Sequence, residues 1–60
     1  MRFREIEKII TNDGWYWVKA KGSHYHYKHP VKKGKVTIQN HPGDIPNTTI
    51  KSILQQAGLL

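Results

Sequence analysis

Histidine is the residue type that stands out in this chain. Four occur among its 60 residues, and three of them, His24, His26 and His29, fall within six positions. An imidazole titrates near ~6.5, so it can take up and release a proton at neutral pH. RNA cleavage needs both abilities. A base removes the ribose 2′-hydroxyl proton, the alkoxide attacks the adjacent phosphate, and an acid protonates the departing 5′-oxygen. A nearby cation stabilises the charge that builds on the phosphate. His24 and His26 are separated by one residue, so a strand would place them on one face, with Lys28 two positions further along. Lys21 precedes them. Gly22, without a side chain, leaves room for a nucleic-acid backbone to approach His24.

Three other uses of these histidines compete. They can be ordinary surface residues of a tyrosine-rich strand. They can bind phosphate without catalysis. His24 and His26 can also supply two metal ligands, although no cysteine or carboxylate adjoins them to complete a site; no metal and no cofactor is expected. Other chemistry is poorly supported. Asp13 and Asp44 are far apart in sequence and form no carboxylate pair. Ser23 and His24 are strand neighbours and point to opposite faces, which is wrong for a nucleophile and its base. No glycine-rich run precedes a helix to cradle phosphate. Trp15 and Trp17 could stack on bases, but core packing is the expected use, because the sheet has few other large apolar groups.

Charge points the same way as the histidines. Ten Lys and Arg oppose four Asp and Glu, for a formal net charge of +6. Lys19, Lys21, Lys28, Lys32, Lys33 and Lys35 cluster in a stretch without an acidic residue between Asp13 and Asp44. Such a patch draws in polyanions, of which nucleic acid is the foremost candidate. A membrane partner is not expected, since neither helix has the basic amphipathic pattern of an interfacial helix and no apolar run is long enough to span a bilayer. The chain has no cysteine and no recognisable signal segment, so a cytoplasmic protein is expected. Residues 1–60 are read as one small domain with a modest core.

Five elements must position these groups. A helix is expected over about Arg2 to Thr11, burying Phe3, Ile6, Ile9 and Ile10, and stopped by Asn12-Asp13-Gly14. A strand follows from Trp15 to Ala20, with Trp15 and Trp17 inward, then a turn at Lys21-Gly22. A second strand runs from Ser23 to His29. It turns Tyr25 and Tyr27 toward the core and His24, His26 and Lys28 outward. After a loop over residues 30–34 comes a third strand, Lys35 to Asn40, with Val36 and Ile38 inward. A last helix spans about Thr48 to Ala57, capped by Asn47 or Thr48, with Ile50, Ile53, Leu54 and Ala57 on its apolar face. The order α-β-β-β-α with short connections implies an α+β fold. A three-stranded antiparallel sheet carries two helices on one face, as in double-stranded-RNA-binding domains. The other face remains open.

Several ordered segments carry a resemblance. They are Lys21-Gly22-Ser23-His24 after Gly14-Trp15, then Tyr27-Lys28-His29-Pro30, then Val36-Thr37-Ile38 with His41, then Pro46 and Thr49-Ile50-Lys51-Ser52-Ile53-Leu54-Gln55-Gln56-Ala57-Gly58. Together they resemble the HicA family of toxins over nearly the whole chain. The resemblance implies an mRNA interferase, an endoribonuclease of a toxin–antitoxin system, with the double-stranded-RNA-binding type of fold. It implies that the Gly-Ser-His histidine, His24, is catalytic. It also implies a HicB-type antitoxin that covers the site, with any oligomer formed through that complex. On this reading His24 is a general acid or base in metal-independent cleavage of mRNA. Lys21, Gly22, Ser23 and Lys28 form the RNA-binding surroundings, and His26 is the candidate for the second proton transfer. Two positions depart from the family pattern: Thr48 stands where glycine is common, and Asn40 where proline often occurs.

Overall fold

The structure, a computed structural model, describes residues 1–60. Its elements are α1 (Phe3–Asn12), β1 (Tyr16–Lys21), β2 (His24–Lys28), β3 (Val36–Gln39) and α2 (Asn47–Gln56). The three strands form one antiparallel sheet in the order β1-β2-β3. No helix is long and apolar enough to cross a membrane.

The core lies between the two helices and one face of the sheet. Ile6 and Ile10 of α1 and Ile50 and Ile53 of α2 meet Tyr27, Val36 and Ile38 of the sheet, with Trp15, Ile45 and Ala57 closing the ends. The expected α+β fold with both helices on one face is therefore present. Its details differ in several places: β1 starts one residue later than expected and takes in Lys21, and β3 lacks Lys35 and Asn40. Ile9 is exposed, because only Phe3, Ile6 and Ile10 of α1 follow the stripe that meets the sheet. Strand β2 is shorter at both ends, since Ser23 belongs to the turn and His29 leaves the ladder. Helix α2 is capped by Pro46, not by Asn47 or Thr48, and its backbone is already extended there (ψ 146°). Trp17 is 53% exposed.

The Trp17 discrepancy has a local cause in β1. Trp17 pairs with Tyr27, but Lys19 pairs with the very next residue of β2, His26. Val18 is the extra residue of a β-bulge. A bulge reverses the inside–outside alternation of everything beyond it. Trp15 is buried before the bulge, at 2% exposure. Trp17 lies on the same side at the sheet margin, where its ring meets Tyr25 edge-on at 6.3 Å. Lys19 and Lys21 then emerge on the opposite, uncovered face.

A polar buckle holds the end of the molecule away from the β1–β2 turn. The Trp15 indole N–H donates to the Ala57 carbonyl at 3.2 Å. Lys32 Nζ donates to the same carbonyl at 3.0 Å and to Asp13 Oδ2 at 2.5 Å. This hydrogen bond is the main reason the Asp13 carboxyl titrates below its ordinary range. Gly14, at φ 110°, lets the chain turn from α1 directly beneath the His29 ring, where a β-carbon would lie 2.6 Å from Nε2. Glu7 of α1 accepts a hydrogen bond from the Tyr27 hydroxyl. Burial, reinforced by that contact, pushes the Tyr27 phenol well above its usual value.

Candidate active site

The strand register assembles the site. On the open face of β2, His24 stands between Lys21 of β1 and Gln39 of β3, and His26 stands between Lys19 and Thr37. Lys28 follows on the same face, opposite Tyr16. Directly paired side chains in an antiparallel sheet lie about 4.5–5.5 Å apart at Cβ, and same-face neighbours along a strand about 7 Å apart. The two imidazoles and three ammonium groups therefore share one small surface without a carboxylate among them. No three His, Cys, Asp or Glu side chains gather anywhere in the chain to hold a metal ion.

The two imidazoles differ. His24 is exposed and makes no side-chain hydrogen bond within the chain, so both ring nitrogens are free to meet a substrate. His26 is half-buried, and its Nδ1 lies 3.2 Å from the Thr37 hydroxyl oxygen. Partial burial, then the charges of Lys35 and Lys19, lowers the His26 pKa below the ordinary 6.5. At neutral pH it is therefore held as the free base.

The turn before His24 is shaped by Gly22. Its φ of 60°, with no positive φ at Ser23, is the pattern of a two-residue type II′ hairpin turn. No atom lies within 4 Å of the position a Gly22 β-carbon would take, so the approach to His24 is open. The Ser23 carbonyl accepts the Asn40 backbone N–H at 2.7 Å, tying the turn to the end of β3.

Of the residues singled out from the sequence, Lys21, His24, His26 and Lys28 share the open face, and Gly22 and Ser23 border it. His29 does not join them. Its Nδ1 accepts the backbone N–H groups of Val31 and Lys32 at 3.0 Å each, and its Nε2–H donates to the Asp13 carbonyl at 2.7 Å. Its ring packs edge-on against Trp15 at 5.2 Å. It is a structural residue of the β2–β3 loop. His41 lies in the loop after β3. Sequence reading missed Lys19 and Thr37 as neighbours of His26. The outward alternation of β3 exposes Thr37, but only the cross-strand pairing brings it to His26. Nothing in the local sequence announces the bulge that turns Lys19 to this face.

Comparison with known proteins follows the same lines. A family model described as "HicA toxin of bacterial toxin-antitoxin" matches residues 3–59. No curated protein sequence matches the chain. Among solved structures, a chain of the "Toxin-Antitoxin complex from Streptococcus pneumoniae" is similar, with a TM-score of 0.82 and 32% sequence identity over 98% of each chain.

Proposed function

Since the chain belongs to the HicA toxin family of bacterial toxin–antitoxin systems, we propose that it is a metal-independent mRNA interferase whose active site is the open sheet face around His24. The observation that supports this most is the register. It sets two imidazoles side by side among Lys19, Lys21 and Lys28 on a surface that no other part of the chain covers.

The environments of the two histidines divide the proton transfers between them. In the tautomer that donates Nδ1–H to Thr37, His26 keeps a free lone pair on Nε2. Held neutral, it serves as the base that takes the 2′-hydroxyl proton. The 2′-oxygen then bonds to phosphorus, and the bond from phosphorus to the 5′-oxygen breaks. His24 protonates that oxygen. The products are a 2′,3′-cyclic phosphate and a free 5′-hydroxyl. Lys21, beside His24, and Lys19, beside His26, offset the charge on the phosphorane-like transition state. Lys28 holds the strand further along, and the open turn at Gly22-Ser23 admits the backbone.

The partner we propose is a HicB-type antitoxin that presents an acidic surface to this face. The similar solved structure is itself a toxin–antitoxin complex, and a lysine-bearing face on a chain of net charge +6 is best blocked by its electrostatic complement.

Cleavage of a defined single-stranded RNA in excess EDTA, beside His24→Ala, tests the catalytic reading. Removing a general acid–base group costs about 10²- to 10⁴-fold. Equal rates for the two proteins would remove His24 from the mechanism. RNA bound but left intact by the native chain would replace the interferase with a non-catalytic RNA-binding module.

A further inference from the structure

The widest groove on the molecule is not on the histidine face. It has a volume of about 600 Å³ and opens between the start of α1 and the loop after β3. Its walls carry Arg2, Arg4, Phe3, Tyr25, Asn40 and His41. Phe3 and Tyr25 form its aromatic floor, with their rings edge-to-face at 5.3 Å. Its two carboxylates keep their charge, but each already accepts a hydrogen bond from a neutral donor of the chain. Glu5 accepts the Arg2 backbone N–H at 2.9 Å, and Glu7 accepts the Tyr27 hydroxyl. The guanidinium groups of Arg2 and Arg4 make no ion pair within the chain.

The position of this groove relative to His24 gives it a role. Tyr25 follows His24 on β2 but faces the other side of the sheet. Asn40 follows Gln39, the cross-strand partner of His24, and its N–H is bonded to the Ser23 carbonyl. The groove thus begins where the histidine face ends, around the margin of the sheet at the β1–β2 turn.

We propose that the groove is a second nucleotide subsite, which takes the single-stranded RNA adjoining the scissile linkage after it crosses that margin. The inference rests on the RNA-cleaving reading above. The residues suit the ligand. Two unpaired arginines match phosphate geometry, an aromatic ring offers a stacking surface to a base of any identity, and the volume lies in the range of small-molecule sites. Asn40 and His41 supply side-chain polar groups for a base edge.

The test compares a dinucleotide with an oligonucleotide of about ten residues as substrates for the native chain, Arg2→Ala/Arg4→Ala and Lys51→Ala. Lys51, on α2, is a single-cation control outside the groove, against which the loss per arginine is compared. The groove predicts that the native chain prefers the oligonucleotide in kcat/KM. It predicts that this preference shrinks in the double arginine variant and persists in Lys51→Ala. The slope of log KM for the oligonucleotide against log salt should also fall by about 0.7 for each arginine engaged. A preference and slope unchanged in the arginine variant, or reduced as much per charge by Lys51→Ala, overturns the subsite while leaving the nuclease intact. Failure of the native chain to cleave either substrate overturns the RNA-cleaving reading and the subsite together.

Discussion

The Ala57 carbonyl accepts from both Trp15 Nε1 (3.2 Å) and Lys32 Nζ (3.0 Å), so the two donors should behave as mutual substitutes. Trp15→Phe removes one donor and part of a buried ring, but the carbonyl keeps Lys32. A cost of about 1–2 kcal/mol is expected. Lys32→Met keeps the aliphatic stem and loses the contacts to Asp13 and Ala57, for about 1 kcal/mol. In the double variant the carbonyl has no partner at a buried residue. An unsatisfied buried acceptor costs a further ~1–3 kcal/mol. The double-mutant cycle should therefore show an extra destabilisation of about 1–2 kcal/mol beyond the sum of the singles. Urea denaturation followed by far-ultraviolet circular dichroism measures it. With a slope near ~1 kcal/mol per molar for so small a domain, the coupling displaces the midpoint by about 1 M or more. Additivity within about 0.5 kcal/mol would show that the shared carbonyl does not join these elements.

Other expectations follow from the same geometry. If neutral His26 is the base, the acid limb of kcat/KM lies below pH 6.5 and moves upward in Lys35→Ala, because a charge that disfavours protonation has gone; a limb that stays put assigns the base elsewhere. Asp13 titrates below its ordinary value in the folded chain, so it stabilises the fold above the unfolded pKa of about 3.8, and that stabilisation is lost as pH falls through the folded value. Acid titration followed by circular dichroism should show this pH dependence weakened in Asp13→Asn. Tyr27 shifts the opposite way: the unfolded phenol ionises near 10 while the folded one stays protonated, so stability falls as pH rises past 10, and Tyr27→Phe should flatten that fall in alkaline denaturation. Gly14→Ala should destabilise by several kcal/mol in the same urea assay, since both φ and the His29 ring oppose it. Gly22→Ala meets only the backbone penalty of about 1–2 kcal/mol, and equal losses at the two glycines would contradict the close approach at Gly14.

Much of the site was legible before the fold was known. Alternation along His24-Tyr25-His26-Tyr27-Lys28 separates a polar face from an aromatic one, because a strand turns successive side chains to opposite sides. The tyrosines did go inward, with Tyr27 fully buried and Tyr25 partly so. The stripes Ile6/Ile10 and Ile50/Ile53 likewise announced two helices that need a shared partner, and the sheet between them is that partner. His29 was not legible in this way. Alternation sets it on the face opposite His24 and His26, but the sequence does not show that β2 ends at Lys28, or that its nitrogens are spent on backbone groups.

The sequence by itself determined the element order and the inward face of β2, since these depend on periodicities that neighbouring residues impose on one another; the choice of His24 over His26 rested on the family resemblance. The tertiary structure alone added Lys19 to Lys21 and Lys28 beside the histidines and fixed which face of β1 meets them. Strict alternation would group Trp17, Lys19 and Lys21 on one side of β1. The bulge at Val18 instead leaves Trp17 on the helix side and turns both lysines toward His26 and His24. The physical reason is that a bulge is a property of two paired strands. It exists only once Trp17 has met Tyr27 and Lys19 has met His26, and no residue in β1 carries that information alone.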